Sequence, residues 1–213
     1  MPEERDADLA LDGLVHDLSN VFQTILESAE LLHSDEHWIW LARALRRSAV
    51  RGQRLVDGYR ETNVAAPTAD LQTVVEDAIE FAADVLRALR ITGVQFRRDL
   101  GAGLRLKGNP TTWERVLFNL LINAGQAMPK GGVVDVRTRL RENSVEITVA
   151  DNGPGIPEEV LPQIFQPRFS TSKSRSGLGL HIVESLVRKN GGTVQAANRA
   201  GSRGAEFRIS VPA

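Results

Sequence analysis

Asp151-Asn-Gly-Pro-Gly-Ile-Pro157 is the stretch from which the fold of this 213-residue chain is best worked out. It directly follows residues 145–150, in which apolar and polar side chains alternate as in a half-buried strand. Two glycines beside one acid let the backbone approach a flat ligand, to which the Asp151 carboxylate can hydrogen-bond. A plain turn explains the same letters, so this stretch alone leaves a turn and a ligand site as alternatives.

Two features on either side of this stretch suit a phosphorylated ligand. Ser176-Gly-Leu-Gly-Leu180 opens a helical pattern reaching Val187, and glycine N–H groups at a helix N-terminus can bind phosphate oxygens. Asn119 and Asn123 lie four apart on a mostly apolar helix, and paired amides could hold a hydrated Mg²⁺ with phosphate. Two surface amides satisfied by water are the alternative.

The second half of the chain predicts a sheet covered by helices on one face. Helical spacing predicts two helices, at residues 71–89 and 110–128. Alternation of apolar and polar residues predicts strands at residues 133–140, 145–150 and 205–211. Turn residues separate these elements at 130–132, 141–144 and 190–192. We therefore expect an α/β two-layer sandwich, in a chain that is α+β as a whole because its first half is helical.

The first half has the spacing of packed helices. Apolar or small residues recur at intervals of three and four in two seams, residues 11–32 and 38–59, separated by Ser34-Asp35. They predict an antiparallel helical hairpin, and a hairpin of about 55 residues has two faces to bury. Self-association into a four-helix bundle would bury both faces, so we predict a homodimer.

His16 stands about 200° around the first helix from both Leu14 and Leu18, so it faces away from the seam. Asn20, four residues further on, shares that exposed face. The adjacent Asp17 carboxylate can accept a proton or a hydrogen bond from the imidazole. A histidine on a solvated helix surface is the alternative, and His16 alone does not decide between the two.

Composition excludes several classes of protein. With no cysteine, the chain has no disulfide framework, thiolate nucleophile, or cysteine-ligated zinc or iron–sulfur site. A formal net charge of −1 gives no general basic field for nucleic acid or anionic lipid. No apolar run approaches the roughly 20 residues that span a bilayer. We therefore expect a soluble, cytoplasmic protein that neither inserts in a membrane nor binds nucleic acid.

Charge divides the chain into two modules. Residues 1–62 carry 12 acids and 7 bases, whereas residues 63–213 carry 15 acids and 19 bases. The polar and small-residue stretch between them contains Pro67, which opposes helix continuation. We therefore predict a helical hairpin at residues 1–62, a linker at 63–69 and a second domain at 70–213.

Taken together, these motifs make the chain resemble a two-component sensor histidine kinase. From about residue 8 to the end, six motifs follow the order and spacing of that family. They are the H box His16-Asp-Leu-Ser-Asn20, the N box Asn119-Leu-Leu-Ile-Asn-Ala124, the G1 box Asp151-Asn-Gly-Pro-Gly155, the F box Ile164-Phe-Gln-Pro-Arg-Phe169, the G2 box Gly177-Leu-Gly-Leu180 and the terminal glycine box at residues 201–207. The resemblance implies a dimerisation and histidine-phosphotransfer domain followed by a Bergerat-fold ATP-binding domain, without a sensor domain.

The resemblance implies a nucleotide site. Asp151 would accept the adenine amino hydrogen, Asn123 would bind Mg²⁺ across the ATP phosphates, and Lys173 would lie near those phosphates. The other residues expected to shape the pocket and its lid are Asn119, Gly153, Gly155, Ile156, Phe169, Gly177, Leu178 and Gly179.

The resemblance also implies the transfer chemistry. His16 would take the γ-phosphoryl group, because a neutral imidazole, with an ordinary pKa of about 6.5, is nucleophilic at cytoplasmic pH. Asp17 would orient the ring and accept its proton, and Asn20 would help water attack the aspartyl phosphate of a response regulator. Related ATPases carry a water-activating glutamate where this chain has Asn119, and an amide cannot act as a general base. The phosphoryl group should therefore be kept from water.

The chain departs from the family pattern at four positions. Val21 replaces the proline that commonly follows the H box, so the usual helix bend should be weaker or absent. Arg175 replaces the first glycine of the fuller G2 pattern, Arg168 replaces an F-box aromatic, and Ala205 replaces a threonine of the last box. We expect altered lid motion and phosphate contacts, with ATP binding retained.

Two functions are consistent with the sequence. The first is an ATP-dependent protein-histidine kinase that autophosphorylates on His16 and passes the phosphoryl group to an aspartate of a response-regulator receiver domain, with phosphatase activity as a further expectation. The second is a relay or docking protein that accepts phosphoryl on His16 without using ATP. A relay would be expected to lose Asn123, Asp151 or the glycines, and all are present, which favours the kinase. Its input would come from a separate sensory protein or from the rest of a longer chain.

Overall fold

The structure, a computed structural model, describes residues 18, 21–28, 45, 49–50, 52, 68–169 and 178–213. The chain divides into two compact units, Met1–Ala65 and Ala66–Ala213. In the first unit every described residue is helical, Ala49 is buried, and the Phe22 ring fills the space that a Cβ atom at Gly52 would need. Phe22, in the first seam segment, thus packs against Gly52 in the second, and the four-helix bundle and homodimer stay predictions.

The second unit contains three α-helices and seven strands among its described residues, numbered here within this unit. In chain order they are β1 (Thr68–Asp70), α1 (Leu71–Ala88), β2 (Val94–Leu100), β3 (Arg105–Lys107), α2 (Pro110–Ala127), β4 (Gly132–Arg141), β5 (Ser144–Asp151), a 3-10 turn (Leu161–Gln163), α3 (Gly179–Lys189), β6 (Thr193–Asn198) and β7 (Ala205–Pro212).

Five of the strands form one mixed sheet in the order β2-β4-β5-β7-β6. The pair β2 and β4 is parallel, whereas the other neighbouring pairs are antiparallel. The short strands β1 and β3 form a separate antiparallel ribbon. The carboxyl end of β5, where Asp151 lies, is therefore flanked by the start of β4 and the start of β7.

The core lies between one face of this sheet and the helices. On β4, the buried Val134, Val136 and Thr138 alternate with Asp135 and Arg137 on the opposite face. The apolar faces of the three helices pack against the inward side, and the fully buried Trp113 of α2 is the largest side chain there. The predicted α/β two-layer sandwich is confirmed.

Local caps explain where two of the helices begin. The Asp70 side chain accepts a hydrogen bond from Thr73 N (3.0 Å) at the start of α1. The Asn109 side chain does the same for Thr111 N (2.9 Å) at the start of α2, and Pro110 follows it in the first helical turn. Both predicted helices are confirmed, each one residue shorter at its end than the pattern indicated.

Four strands were not predicted from the sequence pattern: β1, β2, β3 and β6. In β2 the consecutive residues Arg97, Arg98 and Asp99 break the alternation, and β6 is rich in small and polar residues; both strands lie at sheet edges, where charge and polarity are tolerated. The ribbon strands β1 and β3 have only three residues each. Strand β1 overlaps the predicted linker, since Thr68 and Ala69 pair with residues of β3.

Candidate functional site

A cavity of about 540 Å³ opens at the carboxyl end of β5. Its walls come from α2, the first turn of α3, the segment after β5 and the start of β7. The lining residues are Asn119, Asn123, Ala124, Gln126, Ala127, Asp151, Gly155, Ile156, Pro157, Val160, Ile164, Phe169, Leu178, Gly179, Leu180, Ile182, Ala205 and Phe207. A mostly apolar wall with a few convergent polar groups, at this volume, is typical of a small-molecule site.

Asp151 supplies the carboxylate of the cavity and is only 4% exposed. Two backbone N–H groups donate to its Oδ1, from Gly153 (2.8 Å) and from Ala205 (3.2 Å). Buried polar groups need such partners, and here both donors meet the same oxygen. Ala205 therefore contributes through its backbone, which its side-chain identity does not alter.

The backbone of Asp151 is held as closely as its side chain. Gly204 has a φ of +120°, and a Cβ atom there would collide with the carbonyl oxygen of Asp151. Arg199 donates from Nη1 to the same carbonyl oxygen (3.2 Å), and its Nη2 lies 3.7 Å from Asp135 Oδ2. Only glycine at position 204 allows this close approach of two backbone segments.

The segment after Asp151 is held from two directions. Asn152 accepts from Val133 N at its side-chain oxygen (2.8 Å), which ties the segment to the start of β4. Asn198, at the end of β6, binds both backbone polar groups of Ile156: Ile156 N donates to Asn198 Oδ1 and Asn198 Nδ2 donates to Ile156 O, each at 2.7 Å. Gly155 reaches this position with a φ of +84°.

Asn119 and Asn123 face the N-terminus of α3. The side-chain amide of Asn119 donates to Arg115 O of its own helix (2.8 Å), which orients its oxygen. A Cβ atom at Gly179 would lie 3.1 Å from Asn119 Oδ1 and 3.9 Å from Asn123 Nδ2. The first residue of α3 thus brings a helix N-terminus, which attracts anions, next to two amides.

The described residues after β5, up to Phe169, form part of the cavity wall and contact both the sheet and α3. Phe165 meets Phe207 edge to face at 6.5 Å between ring centroids, while Phe169 lines the cavity. The Nδ1 atom of His181, in the first turn of α3, lies 3.2 Å from the carbonyl oxygen of Phe165 and joins this segment to α3. Arg168 adopts a φ of +63°.

Most of the predicted nucleotide-site residues in the second unit come together in this cavity. Those lining it are Asn119, Asn123, Asp151, Gly155, Ile156, Phe169, Leu178 and Gly179, and Gly153 contacts Asp151 from beside it. Five other predicted residues lie outside the described part of the chain: His16, Asp17, Asn20, Lys173 and Gly177.

Sequence reasoning missed three residues that support the site. Asn152, Asn198 and Arg199 carry none of the expected chemistry, since they bind backbone rather than facing the cavity. For Asn198 the sequence offered only a weak signal, an amide at the end of a polar edge strand that is followed by a glycine-containing turn. Long-range backbone binding by a side chain depends on strand pairing, which the sequence did not show for β6.

The described residues contain neither a cluster of metal-binding side chains nor a membrane-spanning helix. Within residues 68–169 and 178–213, and among the described helical residues of the first unit, no group of three or more His, Cys, Asp or Glu side chains could hold a metal ion. No helix in the same parts of the chain is long and apolar enough to cross a membrane.

Known proteins with a similar sequence are histidine kinases and related ATPases. Residues 108–213 match the family described as histidine kinase-, DNA gyrase B- and HSP90-like ATPase. The chain is 32% identical over 177 residues to the sensor histidine kinase ZraS of Escherichia coli K12, covering 81% of this chain and 37% of that protein. It is 31% identical to the sensor kinase CckA of Brucella abortus, covering 94% of this chain and 23% of that protein.

Solved structures agree. The mycobacterial sensor histidine kinase MprB superposes with a TM-score of 0.61 at 28% identity, covering 70% of this chain and 97% of that one. The catalytic domain of histidine kinase ThkA gives the same TM-score at 26% identity, covering 70% and 96%. The chain spans less than half of the length of the curated relatives named here. Residues 108–213 therefore belong to the histidine kinase-, DNA gyrase B- and HSP90-like ATPases, and the chain as a whole is related to sensor histidine kinases.

Proposed function

We propose that this chain is an ATP-dependent protein-histidine kinase that autophosphorylates on His16 and passes the phosphoryl group to an aspartate of a response-regulator receiver domain. The observation that carries the proposal is the cavity itself. Its walls include both the buried Asp151 carboxylate and the N-terminus of α3, which lies beside two amides. A ligand with a flat hydrogen-bond donor and an anionic tail would use both features.

At the adenine end, Asp151 recognises the base. Its Oδ1 already accepts from Gly153 and Ala205, so Oδ2 is the oxygen that accepts from the adenine amino group. Apolar side chains of Ile156, Ile164 and Phe169 line the cavity and suit a planar aromatic ring. The charged acceptor gives selectivity for a base with an amino donor at this position.

At the phosphate end, Gly179 and the helix it begins attract the phosphates, with Gly177 and Lys173 assigned there from the resemblance. The donors present fit Mg²⁺, which prefers oxygen ligands, keeps several waters and is often held by few protein groups together with phosphate. The Asn123 amide oxygen would bind it, next to Asn119. Magnesium supplies charge neutralisation of the phosphates when bound.

The transfer step proposed for the first unit uses His16. A ring nitrogen attacks the γ-phosphorus, forming an N–P bond while the bond from phosphorus to the bridging β,γ-oxygen breaks and ADP leaves. The imidazole proton passes to Asp17. Asn119 cannot act as a general base, so no residue at that position activates water to compete with His16.

Partners and location complete the proposed function. A receiver domain of a response regulator takes the phosphoryl group from His16, and Asn20 positions water when the reaction runs as a phosphatase. Homodimerisation is supported by Leu18 and Val21, which are 39% and 54% exposed on the first seam of the single chain. A separate sensory protein is a candidate source of input, and the cytoplasmic location stays a prediction.

A phosphotransfer relay that does not use ATP is the competing function. The two are separated by supplying phosphate from either side: γ-labelled ATP with Mg²⁺, or a receiver domain labelled beforehand and freed of ATP. The kinase labels itself from ATP and then loses label to an added receiver domain. Labelling only from the phospho-receiver, with none from ATP, would establish the relay instead.

A further inference from the structure

Asn198 occupies a distinctive place beside the cavity. It is the last residue of the edge strand β6 and pairs in register with Ala205, the first residue of β7. Ala205 N is one of the two donors to Asp151 Oδ1. Asn198 is therefore the neighbour, across one strand pair, of a residue that holds the carboxylate of the site.

The amide of Asn198 acts on the segment after β5 as a strand neighbour would. It accepts from Ile156 N and donates to Ile156 O, both at 2.7 Å, so one side chain satisfies both backbone polar groups of one residue. Ile156 belongs to no helix or strand, and the Asn198 amide replaces the missing ladder partner. A Cβ atom at Gly155 would lie 2.8 Å from Asn198 Oδ1, so this close approach also requires glycine there.

Ile156, which Asn198 holds, and Ala205, with which it pairs, both line the cavity, whereas Asn198 itself does not. Exposed asparagines at strand ends usually bind water. Ending β6 does not require the two hydrogen bonds that Asn198 makes to Ile156. The contact fixes the distance between the Ile156 wall and the Asp151 carboxylate, because Asn198 and Ala205 are paired in the same sheet.

We propose that Asn198 is a positioning residue for the nucleotide site, which sets how firmly the base is held against Asp151 and hence the preference for adenine. The inference rests on the proposed function. If the Ile156 wall loosens, a base can shift away from Asp151, so adenine nucleotides lose affinity. A guanine base presents a carbonyl oxygen in place of the amino group, makes no such bond and loses little.

The test uses the full chain with Mg²⁺ and either ADP or GDP, measured by calorimetry. Asn198→Ala should weaken ADP binding about tenfold, the effect expected from two lost hydrogen bonds, while GDP binding changes by less than about twofold. Gln195→Ala, which also removes a side-chain amide but at an exposed position of β6 outside the cavity, should leave both affinities unchanged. A general loss of structure would lower both affinities together.

A second readout needs no nucleotide. The Ile156 amide should exchange with solvent slowly in the wild type and at least tenfold faster in Asn198→Ala, since its acceptor is gone. Asn198→Asp keeps the acceptor, so exchange should stay slow, but it sets a carboxylate oxygen against Ile156 O and should still weaken ADP binding. This variant preserves size and serves if the alanine variant fails to fold.

The outcomes separate the inference from the function on which it rests. A wild type that binds no ADP would overturn both. A wild type that binds ADP, with Asn198→Ala equal to it in affinity or in Ile156 exchange, would overturn the positioning role alone. Parallel losses of ADP and GDP affinity in the Asn198 variants would likewise contradict it, because adenine preference would then be untouched.

Discussion

At the scale of single residues, the site depends on how Asp151 is held. Two backbone donors converge on one carboxylate oxygen, and Arg199 and Gly204 fix the carbonyl group of the same residue. A carboxylate constrained in this way cannot turn to follow a shifted ligand. Its second oxygen therefore sets the position of any hydrogen-bond donor bound in the cavity.

Replacing Asp151 with asparagine tests this arrangement. The backbone donors will keep the amide oxygen in the place of Oδ1, so the amide NH₂ will face the adenine amino group, donor against donor. The loss of a charged hydrogen bond, with a donor left unpaired, should cost about 1.5–3 kcal/mol, or roughly 10- to 150-fold in ADP affinity by calorimetry. An unchanged affinity, with an unchanged thermal unfolding midpoint, would exclude Asp151 from the nucleotide site.

Gly204 and Gly201 offer a matched pair for backbone strain. Both have positive φ, but a Cβ atom at Gly201 meets nothing within 4 Å, whereas one at Gly204 collides with Asp151 O. Gly201→Ala should lower the free energy of unfolding by about 1 kcal/mol from φ alone. Gly204→Ala should lose about 2 kcal/mol more, measured by urea denaturation. Equal losses would mean that the close backbone approach does not matter.

At the scale of helices and strands, an element could be predicted from the sequence where its own residues show a clear periodic pattern. Helices α1 and α2 were predicted because each carries a long apolar stripe, and strands β4, β5 and β7 because apolar and polar residues alternate along their sequence. Strands β2 and β6 were missed since edge strands bury little and carry charged or small residues. Their presence depends on pairing with β4 and β7, which local sequence does not encode.

The cap of α1 provides a pH-dependent prediction. Hydrogen bonds from the Thr73 backbone N–H and then from its hydroxyl hold the pKa of Asp70 below its ordinary value. A carboxyl with a lowered folded-state pKa stabilises above its unfolded pKa, and that stabilisation is lost as pH falls through the folded value.

Two variants at this position separate the charge from the cap. Asp70→Ala should lower the free energy of unfolding at pH 7 by about 1 kcal/mol, while Asp70→Asn, which keeps an acceptor, should lose less. The difference in the free energy of unfolding between wild type and Asp70→Asn, measured by urea denaturation at a series of pH values, should become smaller below about pH 4. A difference that is constant from pH 7 to pH 3 would contradict a role for the charge.

At the scale of the whole molecule, the sequence predicted which residues meet better than how they are held. Asn119, Asp151 and Gly179, far apart in the chain, were grouped by family motifs, and the structure brings them to one cavity. The supporting contacts of Asn198 and Arg199 needed the sheet register first. His16 and Lys173 lie outside the described residues, so their roles rest on the resemblance.

Dimerisation through the first seam can be tested by placing charge on it. Glutamate at both Leu18 and Ile25 places charge on the first seam and should give monomers at micromolar concentration by light scattering. Gln23→Glu, at an exposed position of the same helix about 200° around it from Val21 and Ile25, should leave the dimer intact. ADP binding should persist in all variants, because the nucleotide site is formed within the second unit. A monomeric wild type would refute the four-helix bundle.

The most direct test of the account is the chemistry of the label. Purified chain is incubated with Mg²⁺ and γ-labelled ATP, and the labelled protein is then exposed to acid or to alkali. A phosphoramidate on His16 predicts label that alkali spares and acid removes, with none on His16→Ala and little on Asp151→Asn. Acid-stable label, or label that persists on His16→Ala, would contradict a kinase that phosphorylates this histidine.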